Sequence, residues 1–195
     1  MCNIRTFVRV ITCRCKPRVY PFITYTYTEL LFSNEAKKQT RKGAWAMRVA
    51  EELVIIEMEA NLKEEVMDLL GTRLFEQGFV KEGFIESILK REENYPTGLP
   101  TEPFGVAIPH TDGDMVNQST IAFANLKNPV KFMMMGTDDK LVDVKLIFML
   151  ALKSPDDQLD MLQKLVGLLQ DPEMVSKLAE VKDVDELNEL VEDKV

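Results

Sequence analysis

One side chain in this sequence combines a nucleophilic ring nitrogen with an ordinary titration near neutral pH: His110, the only histidine among 195 residues. It stands in Gly105-Val106-Ala107-Ile108-Pro109-His110-Thr111-Asp112, a short apolar run that meets a proline, then the imidazole, then a polar turn. Pro109 restrains the backbone beside the ring and is expected to end the strand ladder. An imidazole nucleophile needs one neutral nitrogen while the other donates to an acceptor. The competing reading is a structural histidine, hydrogen-bonded in place.

Missing partners narrow the chemistry. A hydrolytic triad needs a serine or cysteine nucleophile with His110 as base, and no Gly-x-Ser-x-Gly is present. A zinc site needs further imidazole or thiolate ligands, and Cys13-x-Cys15 has no second ligand pair nearby. No Gly-rich nucleotide loop is found, and neither a cofactor nor a metal is expected. A lone histidine can still carry a phosphoryl group, given an accessible nitrogen and a nearby cation. Arg91 is the natural cation, because guanidinium binds phosphoryl oxygens bidentately and stays charged in any pocket. Its position also suits a surface arginine at a helix C-terminus, favoured by the macrodipole.

The elements around these residues follow from periodicity and caps. Leu53–Met58 reads as a strand. Asn61 caps a helix with Glu64 at N3, and Leu62, Val66, Leu69, Leu70 and Leu74 form its apolar face, with Gly78 at the exit. A second helix spans about Lys81 to Glu93, with Phe84, Ile85, Ile88 and Leu89 inward. Tyr95–Pro103 holds three prolines and a glycine, so it is a loop just upstream of His110. Gly105–Ile108, Thr120–Leu126 and Val144–Leu152 follow as strands, the last buried on both faces, and Val130–Phe132 as a short edge strand. Ser154-Pro155-Asp156-Asp157 starts a helix whose apolar face is Leu159, Leu162, Leu165, Val166 and Leu169. Asp171-Pro172-Glu173 and Asp183-x-x-Glu186 open two more. The fold class is therefore α/β, a mixed β-sheet flanked by helices.

Charge divides the chain. Residues 1–46 hold nine lysines and arginines against two acids, whereas residues 47–195 hold 15 against 30. The acidic body argues against nucleic-acid binding, which needs clustered bases. The longest apolar run, Leu146–Leu152, is far short of the roughly 20 residues of a membrane helix, so no direct membrane insertion is expected. Residues 1–46 read as a basic extension, disordered or not natively translated, and 47–195 as the domain. The extension has no apolar h-region, so it is no secretory signal. Arg41-Lys42-Gly43-Ala44 can be encoded by a purine-rich ribosome-binding sequence, which makes Met47 the expected start of translation.

Arg91-Glu92-Glu93-Asn94-Tyr95-Pro96-Thr97-Gly98, followed by Gly105–His110, resembles the enzyme IIA domains of the bacterial phosphoenolpyruvate-dependent sugar phosphotransferase system, mannitol/fructose type. The resemblance extends from about Leu53 to Val191. Glu93–Leu99 and Ser154-Pro155 before Gln158-Leu159 look most like the galactitol-specific branch. It implies a cytoplasmic phosphotransferase component. His110 would accept phosphate from the phosphocarrier HPr and pass it to a cysteine of enzyme IIB, which serves the membrane enzyme IIC. Arg91 is implied to steady the phosphohistidine, and Thr97 lies in the same motif. Mannitol-type members place a second active-site histidine where this chain has Gln158, whose amide can hydrogen-bond but not titrate near neutral pH. Docking is expected around His110 through Phe104, Val106 and Met115, while Met133–Met135 reads as filler. The acidic body could steer a basic carrier face. A regulatory phospho-switch of the same fold, which would not feed sugar transport, is the alternative.

Overall fold

The computed structural model describes residues 48–192, so the basic extension read at 1–46 lies outside the described residues. The strands are β1 (Val54–Met58), β2 (Gly98–Leu99), β3 (Gly105–Ala107), β4 (Thr120–Met133) and β5 (Leu141–Ala151). The helices are α1 (Lys63–Glu76), α2 (Phe84–Asn94), α3 (Pro155–Leu169), α4 (Pro172–Glu180) and α5 (Val184–Glu192).

The sheet runs β1-β4-β5-β3-β2 and is mixed. β1 lies parallel to β4, β4 antiparallel to β5, β5 parallel to β3, and β3 antiparallel to β2. β5 is central, and Leu146 to Ala151 are buried without interruption. Successive strand residues face opposite sides, so this run needs cover on both, as its composition predicted. Phe123 and Phe148 meet across the β4–β5 pair with ring centroids 4.9 Å apart.

Several local expectations shift. The Pro-rich loop contains β2, a two-residue strand at the sheet's edge, where proline neighbours are tolerated. Val130–Phe132 is not a separate edge strand. It continues β4 after an irregularity between Asn125 and Val130, and it is paired on β5. The cap of α1 lies one residue later than read: Glu65, not Glu64, accepts the N–H groups of Asn61 (2.8 Å) and Leu62 (3.3 Å).

The buried stripe of α1 is Val66, Met67, Leu70, Gly71 and Leu74, leaving Leu62 and Leu69 exposed. Gly71 explains the rotation, because a Cβ there would meet Ile85 of α2 at 2.8 Å. The small residue lets α2 pack closely and turns that side of α1 inward. Likewise α3 buries Met161, Leu165, Leu168 and Leu169, while Leu159 and Val166 face out. The helix starts hold as read: Ser154 accepts from the Asp157 N–H, Asp171 from Glu173 and Asp183 from Glu186. Gly78 leaves α1 with φ of 75°. Buried Asn125 joins β1, β4 and the end of α4 by accepting from Glu57 and donating to the carbonyls of Ala179 and Val181.

Candidate active site

His110 is held by the central strand. The register that pairs Val106 with Leu146 and Ala107 with Ile147 continues to a parallel bridge between His110 and Leu150. Pro109 lacks an N–H but its carbonyl accepts from Leu150 at 2.9 Å. The strand thus ends before Pro109, as expected, and a single isolated bridge forms beyond it at His110. Gly113 seats the following turn, since a Cβ would lie 2.1 Å from the Lys153 carbonyl oxygen. Buried Thr111 meets Ser87 of α2, hydroxyl to hydroxyl, at 2.6 Å. Strand, helix and turn together fix where the imidazole sits.

The ring's two nitrogens have different surroundings. Nδ1 lies 2.9 Å from the carbonyl oxygen of Ile108, which can only accept, so Nδ1 carries the hydrogen. In the neutral ring Nε2 then holds the lone pair. Nη2 of Arg91 lies 3.4 Å from Nε2. Burial holds the His110 pKa below its ordinary 6.5 and the Arg91 charge adds to that, while the Ile108 bond and Asp112 oppose it. These surroundings favour the neutral ring, the form available as a nucleophile.

Arg91 is under-satisfied. Its Nε is buried without a partner, and Nη1 is 3.8 Å from Oδ1 of Asp112, a loose pair. The guanidinium carbon lies 5.5 Å from the ring centroid of exposed Tyr95. A cation with spare donors beside an imidazole lone pair suits an incoming tetrahedral oxyanion.

Thr97 is in the neighbourhood but not at the reacting atoms. It is 2% exposed, and its hydroxyl donates to Oε2 of Glu92 at 2.7 Å while its N–H reaches Oε1 at 3.2 Å. Its carbonyl in turn accepts from the Ile108 N–H at 3.4 Å. A chain of bonds thus runs from Glu92 through Thr97 and Ile108 to Nδ1 of His110. Burial pushes the Glu92 carboxyl up, and the Thr97 bonds pull it back. Sequence reading gave Glu92 no role. The signal was there: Phe84, Ile88 and Glu92 recur every fourth residue, so Glu92 falls on the buried stripe of α2 and requires a partner. Thr97→Val is expected to destabilise the fold by about 1–3 kcal/mol, because one buried Glu92 oxygen loses its donor. Urea denaturation measures this; a full loss of phosphate acceptance with unchanged stability would instead put Thr97 in the chemistry.

Gln158 lies in the first turns of α3, the helix that follows β5, with its N–H on the Ser154 carbonyl. Among the described residues no hydrogen bond joins its side chain to His110 or Arg91. Of the expected docking residues, Val106 is 0% exposed and cannot contact a partner, because β3 is covered on both faces. Phe104 and Met115 are half-buried, and Lys145 Nζ lies 4.6 Å from the Phe104 ring centroid. Met135 is the exposed member of its methionine run.

Residues 48–194 match the family described as phosphoenolpyruvate-dependent sugar phosphotransferase system, EIIA 2. The chain belongs to this enzyme IIA family. The galactitol-specific EIIA component of Escherichia coli K12 is 32% identical over 116 residues, 60% of this chain and 77% of that protein. The transcriptional regulator ManR of Bacillus subtilis is 32% identical over 134 residues, 68% of this chain but 19% of the regulator. Among solved structures, IIA mannitol from Escherichia coli superimposes with a TM-score of 0.62 at 24% identity, over 74% of this chain and 99% of that one. The same mannitol IIA in complex with phosphorylated IIB gives 0.63 at 24% identity, over 74% and 96%. These structures share the enzyme IIA fold, a mixed five-stranded sheet with flanking helices. As an enzyme IIA, the chain is a phosphotransferase-system component. No described helix is long and apolar enough to cross a membrane.

Proposed function

We propose that Nε2 of His110 accepts a phosphoryl group from phospho-HPr and passes it to a cysteine of enzyme IIB, in the cytoplasm, for uptake of a sugar or sugar alcohol through enzyme IIC. The observation that carries this is the commitment of Nδ1 to the Ile108 carbonyl, which leaves Nε2 as the basic nitrogen beside Arg91. Likeness to the galactitol-specific components supports galactitol or a related polyol as the transported compound. A mannitol IIA complexed with phosphorylated IIB supports IIB as the acceptor. The region read as the working domain begins at Met47, and we take residues 1–46 to be dispensable for this role.

Incubation with phosphoenolpyruvate, enzyme I and HPr is expected to give an acid-labile, base-stable phosphate that cognate IIB removes. A protein that stays unlabelled would refute the proposal. The regulatory reading draws on the likeness to ManR. It predicts labelling that no IIB with IIC and candidate polyols can discharge.

The pH dependence of phosphate acceptance should follow one group. Protonated His110 has no lone pair at Nε2, so the rate is expected to fall as pH drops through a pKa below 6.5 and to stay flat above it. The same depressed pKa lowers fold stability as pH falls through it, because the unfolded chain binds the proton more readily. With a single histidine in the chain, proton NMR reads this titration without assignment. Gln158 adds no second ionisation near neutrality; a second kinetic pKa between 6.5 and 8 would contradict the scheme.

A further inference from the structure

We propose that Asp112 competes with the phosphoryl group for Arg91 and so keeps phosphate on His110 at high transfer potential, an inference that rests on the phosphocarrier role above. Arg91 faces two ways. Nη2 is 3.4 Å from Nε2 of His110, and Nη1 is 3.8 Å from Oδ1 of Asp112. In the free protein Asp112 meets only a cation. Phosphorylation places about two negative charges on the oxygens of the phosphoryl group bonded to Nε2, served by the same guanidinium. Asp112 then opposes the phosphoryl group while still drawing on Arg91. The carboxylate therefore stabilises the free state and penalises the phosphorylated one.

The Asp112 side chain has no other structural task that would confuse the effect. It is 87% exposed, and the turn Gly113–Met115 that follows it has no side-chain cap. The turn is held by backbone bonds, including Met115 N–H to the Asp112 carbonyl. During transfer the donor's P–N bond breaks as the Nε2–P bond forms. The donor imidazole keeps the electron pair of the broken bond, and the proton of His110 stays on Nδ1, hydrogen-bonded to the Ile108 carbonyl.

The test is an equilibrium, because a docking contact alters forward and reverse rates together and leaves it unchanged. Purified phospho-HPr is mixed with wild type, Asp112→Asn or Asp112→Glu without enzyme I, and all four species are counted by intact mass. Asp112→Asn is expected to raise the equilibrium constant for phosphorylation about 3- to 10-fold. The gain should shrink at about 0.5 M salt, and Asp112→Glu should stay within about twofold of wild type. An unchanged constant overturns the proposal even if the approach to equilibrium slows. A lowered constant also overturns it and makes Asp112 a residue that orients Arg91. A wild type that takes no phosphate removes the phosphocarrier role itself, which separates the two failures.

Discussion

The His110→Ala variant takes no detectable phosphate from phospho-HPr, a loss on the order of 10³-fold or more, since it removes the nucleophile itself. No other imidazole in the chain can substitute, because His110 is the only one. The fold should tolerate the change. The His110 side chain makes one short bond, to the Ile108 carbonyl two residues back, and one long one to Arg91, while the ladder bond beside it runs from Leu150 N–H to Pro109 through backbone alone. Circular dichroism and denaturation should therefore place the variant close to wild type. Equal labelling of variant and wild type would move the phosphate to another residue and end the histidine mechanism.

Arg91→Ala is expected to slow phosphate acceptance by about 10²- to 10³-fold, as removal of a positioned donor to a developing oxyanion does elsewhere. The guanidinium lies against Nε2, its pair with Asp112 is loose, and its buried Nε has no partner in the free protein, so it keeps donor capacity for an arriving phosphate. Arg91→Lys should restore only part of the rate, because an ammonium lacks the planar fork and its bidentate geometry. Removing Arg91 also lifts one of the effects that depress the His110 pKa, so the acid limb of the pH profile should move upward. Rapid-quench measurement of the first turnover reads both effects. Unchanged transfer in Arg91→Ala would leave the residue as a helix-terminal surface charge.

Much of the frame was legible in the residues. The almost wholly apolar run Val144–Leu152 had to be a strand covered on both faces, and it lies in the central strand, to which His110 is bridged at Leu150. Ser154-Pro155, Asp171-Pro172 and Asp183-x-x-Glu186 announced their helices because caps are local chemistry. Apolar faces were less legible. Both α1 and α3 carry enough leucines for two stripes, and which one is buried depends on the neighbour. Gly71 and Ile85 chose for α1, turning Leu62 and Leu69 outward. Val106 was similarly misread as a docking residue, because proximity to His110 in sequence says nothing of which sheet face is covered.

By itself the sequence determined that any imidazole chemistry is confined to one position, preceded by a proline and an apolar strand, with an arginine at the end of the preceding helix. It also determined the α/β class, through periodicity and caps, because these signals act within a few residues. Tertiary structure decided which nitrogen is free. It did so by setting the Ile108 carbonyl against Nδ1 and bringing Arg91 to Nε2 from 19 residues away. It also made Thr97, named from the sequence only as part of the Arg91 motif, a link between buried Glu92 and the Ile108 backbone. The reason is physical: hydrogen-bond direction and desolvation depend on which groups meet across elements, and composition and spacing do not contain that.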